Sequence, residues 1–222
     1  MNKRRFDLVI FDCDGVLVDS ELITNRIFAG MLNELGIPIS LDEVFEQFVG
    51  RSMPQCLEMV ESLLGRPVPD EFVQAYQKRS AAALRSELKA VPDIEMALAT
   101  VGIPYCVASS GTHEKMNTTL GVTGLLPSFR GKMYSVTEVA RSKPFPDVFL
   151  YAASQSGVAA AACAVVEDTP TGVRAGVAAG MTVFGYCALT PKHQLIEAGA
   201  HRTFDRMRDL PDLLSRCAIF VG

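Results

Sequence analysis

Four short apolar runs with strand character, Phe6–Phe11, Tyr105–Ala108, Ala164–Val166 and Thr182–Tyr186, recur along the chain with helical patterns between them. Continuous apolar strands alternating with helices fit a parallel sheet covered on both faces, because alternate-face exposure would demand a polar residue at every second position. The expected fold is therefore α/β, a doubly wound parallel sheet. One interval breaks the alternation. Residues 20 to 88 contain no strand-like run; instead Ile23, Ile27, Met31, Leu32 and Leu35 repeat at helical spacing up to Gly36 and Pro38, and Val44, Phe45, Phe48 and Val49 repeat up to Gly50. Further helices are expected at 53–64 and 70–88. Four helices exceed what a simple crossover needs, so the sequence predicts a helical domain over 19–88 inserted into a core of 1–18 and 89–222.

In open parallel sheets, ligands gather outside the carboxyl ends of the strands. The residues just past each strand are therefore the place to look for chemistry. After the first comes Asp12-Cys13-Asp14-Gly15, after the second Ser109-Ser110-Gly111-Thr112, and after the third Glu167-Asp168-Thr169-Pro170-Thr171-Gly172. A fourth element, Ser142-Lys143-Pro144, precedes the helix leading into the third strand. Asp12 and Asp14 at a strand end can converge on one ligand, and two close carboxylates raise each other's pKa unless a cation relieves them. With oxygen donors and no histidine cluster the cation of choice is Mg²⁺, and Glu167 and Asp168 supply further carboxylates. The plainer alternative is that these acids cap loops and helices. Ser109, Ser110 and Gly111 open a helix near His113, where free backbone N–H groups favour an anion; ordinary N-capping accounts for them equally. Lys143 either reaches back into the cleft or is a solvated surface lysine.

These signatures resemble those of the haloacid dehalogenase superfamily: FDCDGVLVDS, VASSG, the lysine of RSKPFPD, and VVEDTPTGVRAG, in that order over nearly the whole chain. The insertion is similar to the C1-type cap of the subfamily that contains β-phosphoglucomutase and phosphoglycolate phosphatase. DCDGVLVDSE, followed by DEVFEQFVGRS, is similar to the sugar-phosphate phosphatases of that group, including the 6-phosphogluconate phosphatase type.

The resemblance implies a Rossmann-like core and an Mg²⁺-dependent phosphatase acting on a small phosphorylated metabolite, a sugar phosphate or phospho-sugar acid. It makes Asp12 the nucleophile that forms an aspartyl-phosphate, and Asp14 the general acid and then base. Ser109, with the backbone N–H of Ser110, would hold the phosphoryl oxygens and Lys143 would neutralise their charge. Mg²⁺ would be held by the Asp12 carboxylate, the Asp14 carbonyl and Asp168, with Glu167 direct or through water. Intact Asp14 and acids in the fourth motif speak against carbon–halogen chemistry. A phosphosugar mutase is the nearer rival; β-phosphoglucomutases carry a histidine where this chain has Thr24, and His113, His193 and His201 stand elsewhere, which favours hydrolysis. A receiver-like phospho-acceptor domain is the remote alternative, but receivers carry their aspartate on a later strand and lack the insertion.

In related caps a specificity loop lies where Val49-Gly50-Arg51-Ser52 falls, so Arg51 is expected to reach the leaving group, with a solvated arginine as the alternative. Lys78 and Arg79 are weaker candidates, Thr112 and His113 could face the cleft, and Thr171 and Arg174 belong to the helix after the fourth motif. With 25 acids against 21 bases, a net charge of −4 and no long basic run, nucleic acid is not an expected partner, and Lys3-Arg4-Arg5 reads as a solvated end. No apolar segment is long enough for a membrane span or a signal core, which places the protein in the cytoplasm, as a monomer or at most a weak dimer. Cysteines 13, 56, 106, 163, 187 and 217 form no Cys-x-x-Cys pair. Neither a structural zinc nor a disulfide is expected.

Overall fold

The computed structural model describes residues 6–49, 51 and 53–216. The Lys3-Arg4-Arg5 cluster, Cys217, and Gly50 and Ser52 of the expected specificity loop lie outside the described residues. In chain order the elements begin with β1 (Leu8–Phe11), α1 (Ser20–Glu34), α2 (Leu41–Gln47), α3 (Met53–Leu64) and α4 (Phe72–Glu87). They continue with α5 (Ile94–Thr100), β2 (Tyr105–Ser109), α6 (His113–Val122), α7 (Leu126–Phe129), β3 (Met133–Ser135) and α8 (Asp147–Gln155). The last are β4 (Cys163–Glu167), α9 (Pro170–Ala178), β5 (Thr182–Tyr186), α10 (Lys192–Glu197), β6 (Arg202–Phe204) and α11 (Leu210–Arg216).

The six strands form one parallel sheet in the order β3-β2-β1-β4-β5-β6. The first strand therefore lies inside, with Phe11 opposite Val107 on one side and Val166 on the other. Chain connections leave β1 in one direction toward β2 and β3 and in the other toward β4, β5 and β6, which opens a crevice at its carboxyl end. Burial explains why these runs are strands. Val9, Ile10 and Phe11 of β1 and Ala164, Val165 and Val166 of β4 have no exposed surface, so both faces of each strand must be apolar. Phe149, Ala152, Val173 and Leu195, from the flanking helices α8, α9 and α10, complete the core.

Two strands, β3 and β6, were not among the apolar runs read from the sequence. Each is three residues long at a sheet edge, and residues such as Met133, Tyr134 and Arg202 are partly or fully exposed, so neither shows the uninterrupted apolar pattern of the central strands.

Two compact units make up the fold: residues 1–19 with 89–222, and Ser20–Leu88. The helical unit has its own core, centred on Phe28, whose ring meets those of Phe48, Phe72 and Tyr76 edge-on at 5.2, 6.0 and 5.5 Å between centroids. Val44, Val60 and Leu32, all fully buried, close the cluster. Helix α2 is started by a reciprocal cap, in which the Glu43 N–H donates to Ser40 Oγ and the Ser40 N–H donates to the Glu43 carboxylate. Exposed ion pairs, Arg79 with both oxygens of Glu34 and Arg26 with Glu87, join α4 to α1.

Candidate active site

The site follows from where β1 stops. The Asp12 N–H still donates to the Val166 carbonyl, so Asp12 is fixed to the sheet although its carboxylate has left it. The chain then turns at Gly15, which has a φ of 80° and whose N–H donates to the Val18 carbonyl. A Cβ on Gly15 would overlap the Asp168 carboxylate. Glycine is thus required here twice over, for the left-handed backbone and for the approach of an acid from the end of β4 to the turn after β1.

Lys143 lies at the centre. Its ammonium donates to Asp12 Oδ1 at 2.5 Å, to Glu167 Oε1 at 2.8 Å and to the Ala108 carbonyl at 3.2 Å, and it sits 4.7 Å from the centroid of the Phe149 ring. Only 4% of the side chain is exposed, so the surface-lysine alternative does not apply. Burial disfavours the ammonium, but Asp12 and Glu167 outweigh that cost and hold its pKa above the ordinary lysine value. Asp12 is pushed the other way. Burial raises it to about 7, aided by Glu167 and Asp14 and opposed by Lys143.

Glu167 is fully engaged by the protein. Oε1 accepts from Lys143, while Oε2 accepts from the N–H groups of Asp168 and Thr169 and from the Thr169 hydroxyl, each at 3.0 Å. Thr169 caps α9 by accepting from the Gly172 N–H, and a Cβ on Gly172 would overlap the Glu167 carboxylate. The glycine of the fourth motif therefore makes room for an acid beneath a helix start.

After β2, Ser109 is buried, and its Oγ accepts from the Gly111 N–H at 2.9 Å; Ser110 is exposed. Thr112 caps α6, accepting from the Lys115 N–H. Cys13 is buried beside Thr119, 3.9 Å from its hydroxyl, and burial pushes the thiol well up, so it is packing and not a nucleophile.

Other candidates stand apart from this cluster. His113 Nε2 lies 2.8 Å from Glu138 Oε2, and the same carboxylate accepts from the Ser135 N–H and the Tyr151 hydroxyl. Arg79 is an exposed strut to Glu34, Lys78 is exposed on α4, Thr171 and Arg174 meet each other on α9, His193 sits in the first turn of α10, and the His201 ring packs on Phe184. In the helical unit, Arg51 lines a cavity of about 170 Å³ with Glu21, Thr24, Asn25, Phe48 and Tyr76, and its Nε donates to the Gln47 carbonyl at 2.6 Å. Thr24 bonds its own helix, donating to the Ser20 and Glu21 carbonyls. One residue of the core site is not apparent from the sequence: Lys115, whose ammonium donates to Asp14 Oδ2 at 2.7 Å. Its signal was its place one turn into the helix that follows VASSG, where a long side chain can reach the neighbouring strand end.

Among the described residues no three His, Cys, Asp or Glu side chains form a ready-made metal cage. Mg²⁺ does not demand one, since it keeps several waters and is bound through one or two carboxylates and substrate phosphate. The donor chemistry fits that ion: Asp12 and Asp168 are buried oxygen donors, and the missing Cβ of Gly15 lets the Asp168 carboxylate reach the turn bearing Asp12 and Asp14.

Comparison with known proteins identifies the family. Residues 9–186 match the family described as haloacid dehalogenase-like hydrolase. The 6-phosphogluconate phosphatase of Escherichia coli (strain K12) is 34% identical over 210 residues, covering 94% of this chain and 95% of that protein. Among solved structures, a conserved haloacid dehalogenase-like protein of unknown function from Agrobacterium tumefaciens str. C58 superposes with a TM-score of 0.89 at 36% identity, covering 94% of this chain and 97% of that one. A HAD family hydrolase from Deinococcus radiodurans R1, with bound phosphate and sodium, gives 0.82 at 29% identity, covering 94% of each. With three strand-end motifs and Lys143 gathered at one crevice and phosphatases among its relatives, the chain belongs to the haloacid dehalogenase-like hydrolases, as a phosphoric monoester hydrolase of the sugar-phosphate phosphatase kind.

Proposed function

We propose that the protein hydrolyses a small phosphorylated sugar or sugar acid through an aspartyl-phosphate on Asp12, with Mg²⁺ as cofactor. The observation that carries this reading is Lys143, buried between Asp12 and Glu167 at the carboxyl ends of neighbouring strands. The grip on Asp12 Oδ1 fixes the plane of the carboxylate before substrate arrives, and preorganisation of this kind is most of what phosphoryl transfer asks of a protein. An oxygen of Asp12 attacks phosphorus as the bond to the leaving oxygen breaks. Asp14 gives that oxygen a proton, so the product leaves as an alcohol. The same carboxylate then takes a proton from water, whose oxygen attacks the phosphoenzyme, releasing phosphate and restoring Asp12.

Ser109 and the Ser110 N–H would hold phosphoryl oxygens, with Lys143 offsetting their charge. Asp12, the Asp14 carbonyl and Asp168 would hold Mg²⁺, with Glu167, already bonded through both oxygens, acting on it through water. When bound, the ion would neutralise phosphate charge and favour the ionised form of Asp12, against the effect of burial. Arg51, which the resemblance expects to reach the leaving group, lines a cavity of the helical unit with Glu21, Asn25 and Tyr76, a cation and polar groups of the kind that bind a carboxylate and hydroxyls. The named activity of the Escherichia coli relative, on 6-phosphogluconate, supports a sugar acid.

The test is rapid-quench kinetics with p-nitrophenyl phosphate and Mg²⁺, followed by a screen of phosphorylated sugars and sugar acids. Wild type should give a burst of nitrophenol and an acid-trapped phosphoenzyme. Asp12→Asn should give neither and fall to the buffer background. Turnover by Asp12→Asn at the wild-type rate would overturn the mechanism.

A further inference from the structure

Each acid of the Asp12-Cys13-Asp14 stretch has a lysine of its own. Lys143 donates to Asp12, Glu167 and a carbonyl. The cation on Asp14 is Lys115, 101 residues further along the chain, from the first turns of α6. Its backbone is anchored, because its N–H is the one that the Thr112 cap accepts from. Its stem is confined on one side by the turn after β2: a Cβ on Gly111 would lie 3.2 Å from Lys115 Cδ and 3.3 Å from Ser109 Oγ. From there Nζ reaches Asp14 Oδ2 at 2.7 Å, the length of a charge-assisted bond. The Lys115 side chain is 40% exposed and that of Asp14 23%. As a contribution to stability such a pair is worth little. Its value lies in what it orients.

Resting on the reading that Asp14 transfers the proton, we propose that Lys115 is a positioning residue: by holding Oδ2 it fixes the Asp14 carboxylate in the orientation from which the leaving oxygen is protonated. Proton transfer requires heavy atoms about 2.6–3.2 Å apart, and a bond to Oδ2 narrows the orientations that the carboxylate samples. The bridge also links the turn that follows β2 with the turn that follows β1, so the groups that hold the phosphoryl oxygens and the acid are set by one side chain.

Leaving-group dependence tests this. A sugar phosphate loses a poor leaving group and needs the proton; 2,4-dinitrophenyl phosphate departs without one. Lys115→Met, which keeps a long unbranched stem, should lower kcat/KM for the sugar phosphate about tenfold or more, part of the 10²–10⁴ that a placed acid supplies, and leave the dinitrophenyl ester within about twofold. Asp14→Asn should show the same selectivity, more strongly. Lys115→Arg, which restores a donor cation, should recover most of the loss. Equal losses on both esters would overturn the proposal, since they would mean that Lys115 binds the phosphoryl group or merely holds the fold; so would no loss on either. Asp14→Asn that loses no more on the sugar phosphate than on the dinitrophenyl ester would instead remove the reading on which it rests, leaving the two failures distinguishable.

Discussion

The crevice at the end of β1 and the core of the helical unit are both tightly bonded, but by opposite means. At the crevice, charged groups meet with no room to spare: Gly15 and Gly172 each stand where a single methyl group would overlap a carboxylate, and Lys143 makes three hydrogen bonds in a nearly dry environment. In the helical unit, the interior is a set of rings around Phe28 with an open cavity at its side. Directional, short-range bonds tolerate no displacement, whereas ring contacts are numerous, weak and adjustable. The chemistry thus rests on the part of the molecule that cannot shift, and variation in the polar lining of the cavity leaves that part untouched.

The sharpest way to break this contrast is Gly172→Ala. The added methyl group displaces Glu167 from Lys143, and breaking a buried charge pair costs on the order of 3–5 kcal/mol. Chemical denaturation should show that loss, and kcat should collapse with it. A change below about 1 kcal/mol, the scale of an ordinary surface substitution, would mean that the crevice does have slack. In the helical unit, Phe28→Leu removes three edge-on ring contacts but keeps an apolar side chain, and about 1–2 kcal/mol is expected. Turnover of p-nitrophenyl phosphate, which has no sugar to recognise, should change little. The smallest effect is expected at Glu138, where burial raises the carboxyl but bonds from Ser135, His113 and Tyr151 outweigh it and hold it below the usual value. A lowered pKa adds stability above the unfolded value of 4.5, lost as pH falls through the folded value. Glu138→Gln should therefore cost roughly 0.5 kcal/mol at pH 7, discounted for exposure, and progressively less as pH falls below 4.5. A difference that does not shrink on acidification would point to packing.

The central strands were legible in the sequence because they are buried on both faces, and Val9 to Phe11 or Ala164 to Val166 leave no other reading. The edge strands β3 and β6 were not, since three residues of which only the last is buried carry no period. At the site, Asp12, Asp14, Ser109, Glu167 and Asp168 are singled out by their places at strand ends, and Lys143 by its place before a helix. Their mutual bonding was hidden: that Glu167 has both oxygens bonded within the protein depends on Gly172 lacking a side chain, and the sequence displays the glycine but not what approaches it. Lys115 was passed over in favour of Thr112 and His113, the residues adjacent to the turn, because reach across the sheet edge is a property of side-chain length and path rather than of neighbourhood. His113 proved to be tied to Glu138 instead.

The strand order bears on how the chain is made. Leu8 is synthesised before the other strands, yet its partner on one side is Cys163, and Val9 waits for Tyr105 on the other. The helical unit, by contrast, is continuous from Ser20 to Leu88 and draws its contacts from local sequence. On the ribosome it can consolidate first, while the apolar strand ahead of it stays unpaired along both edges, a template for unwanted pairing. Nascent chains arrested before β4 should thus be bound by holdase chaperones at residues 6–11, and the crevice around Asp12 is completed only when the fourth strand emerges.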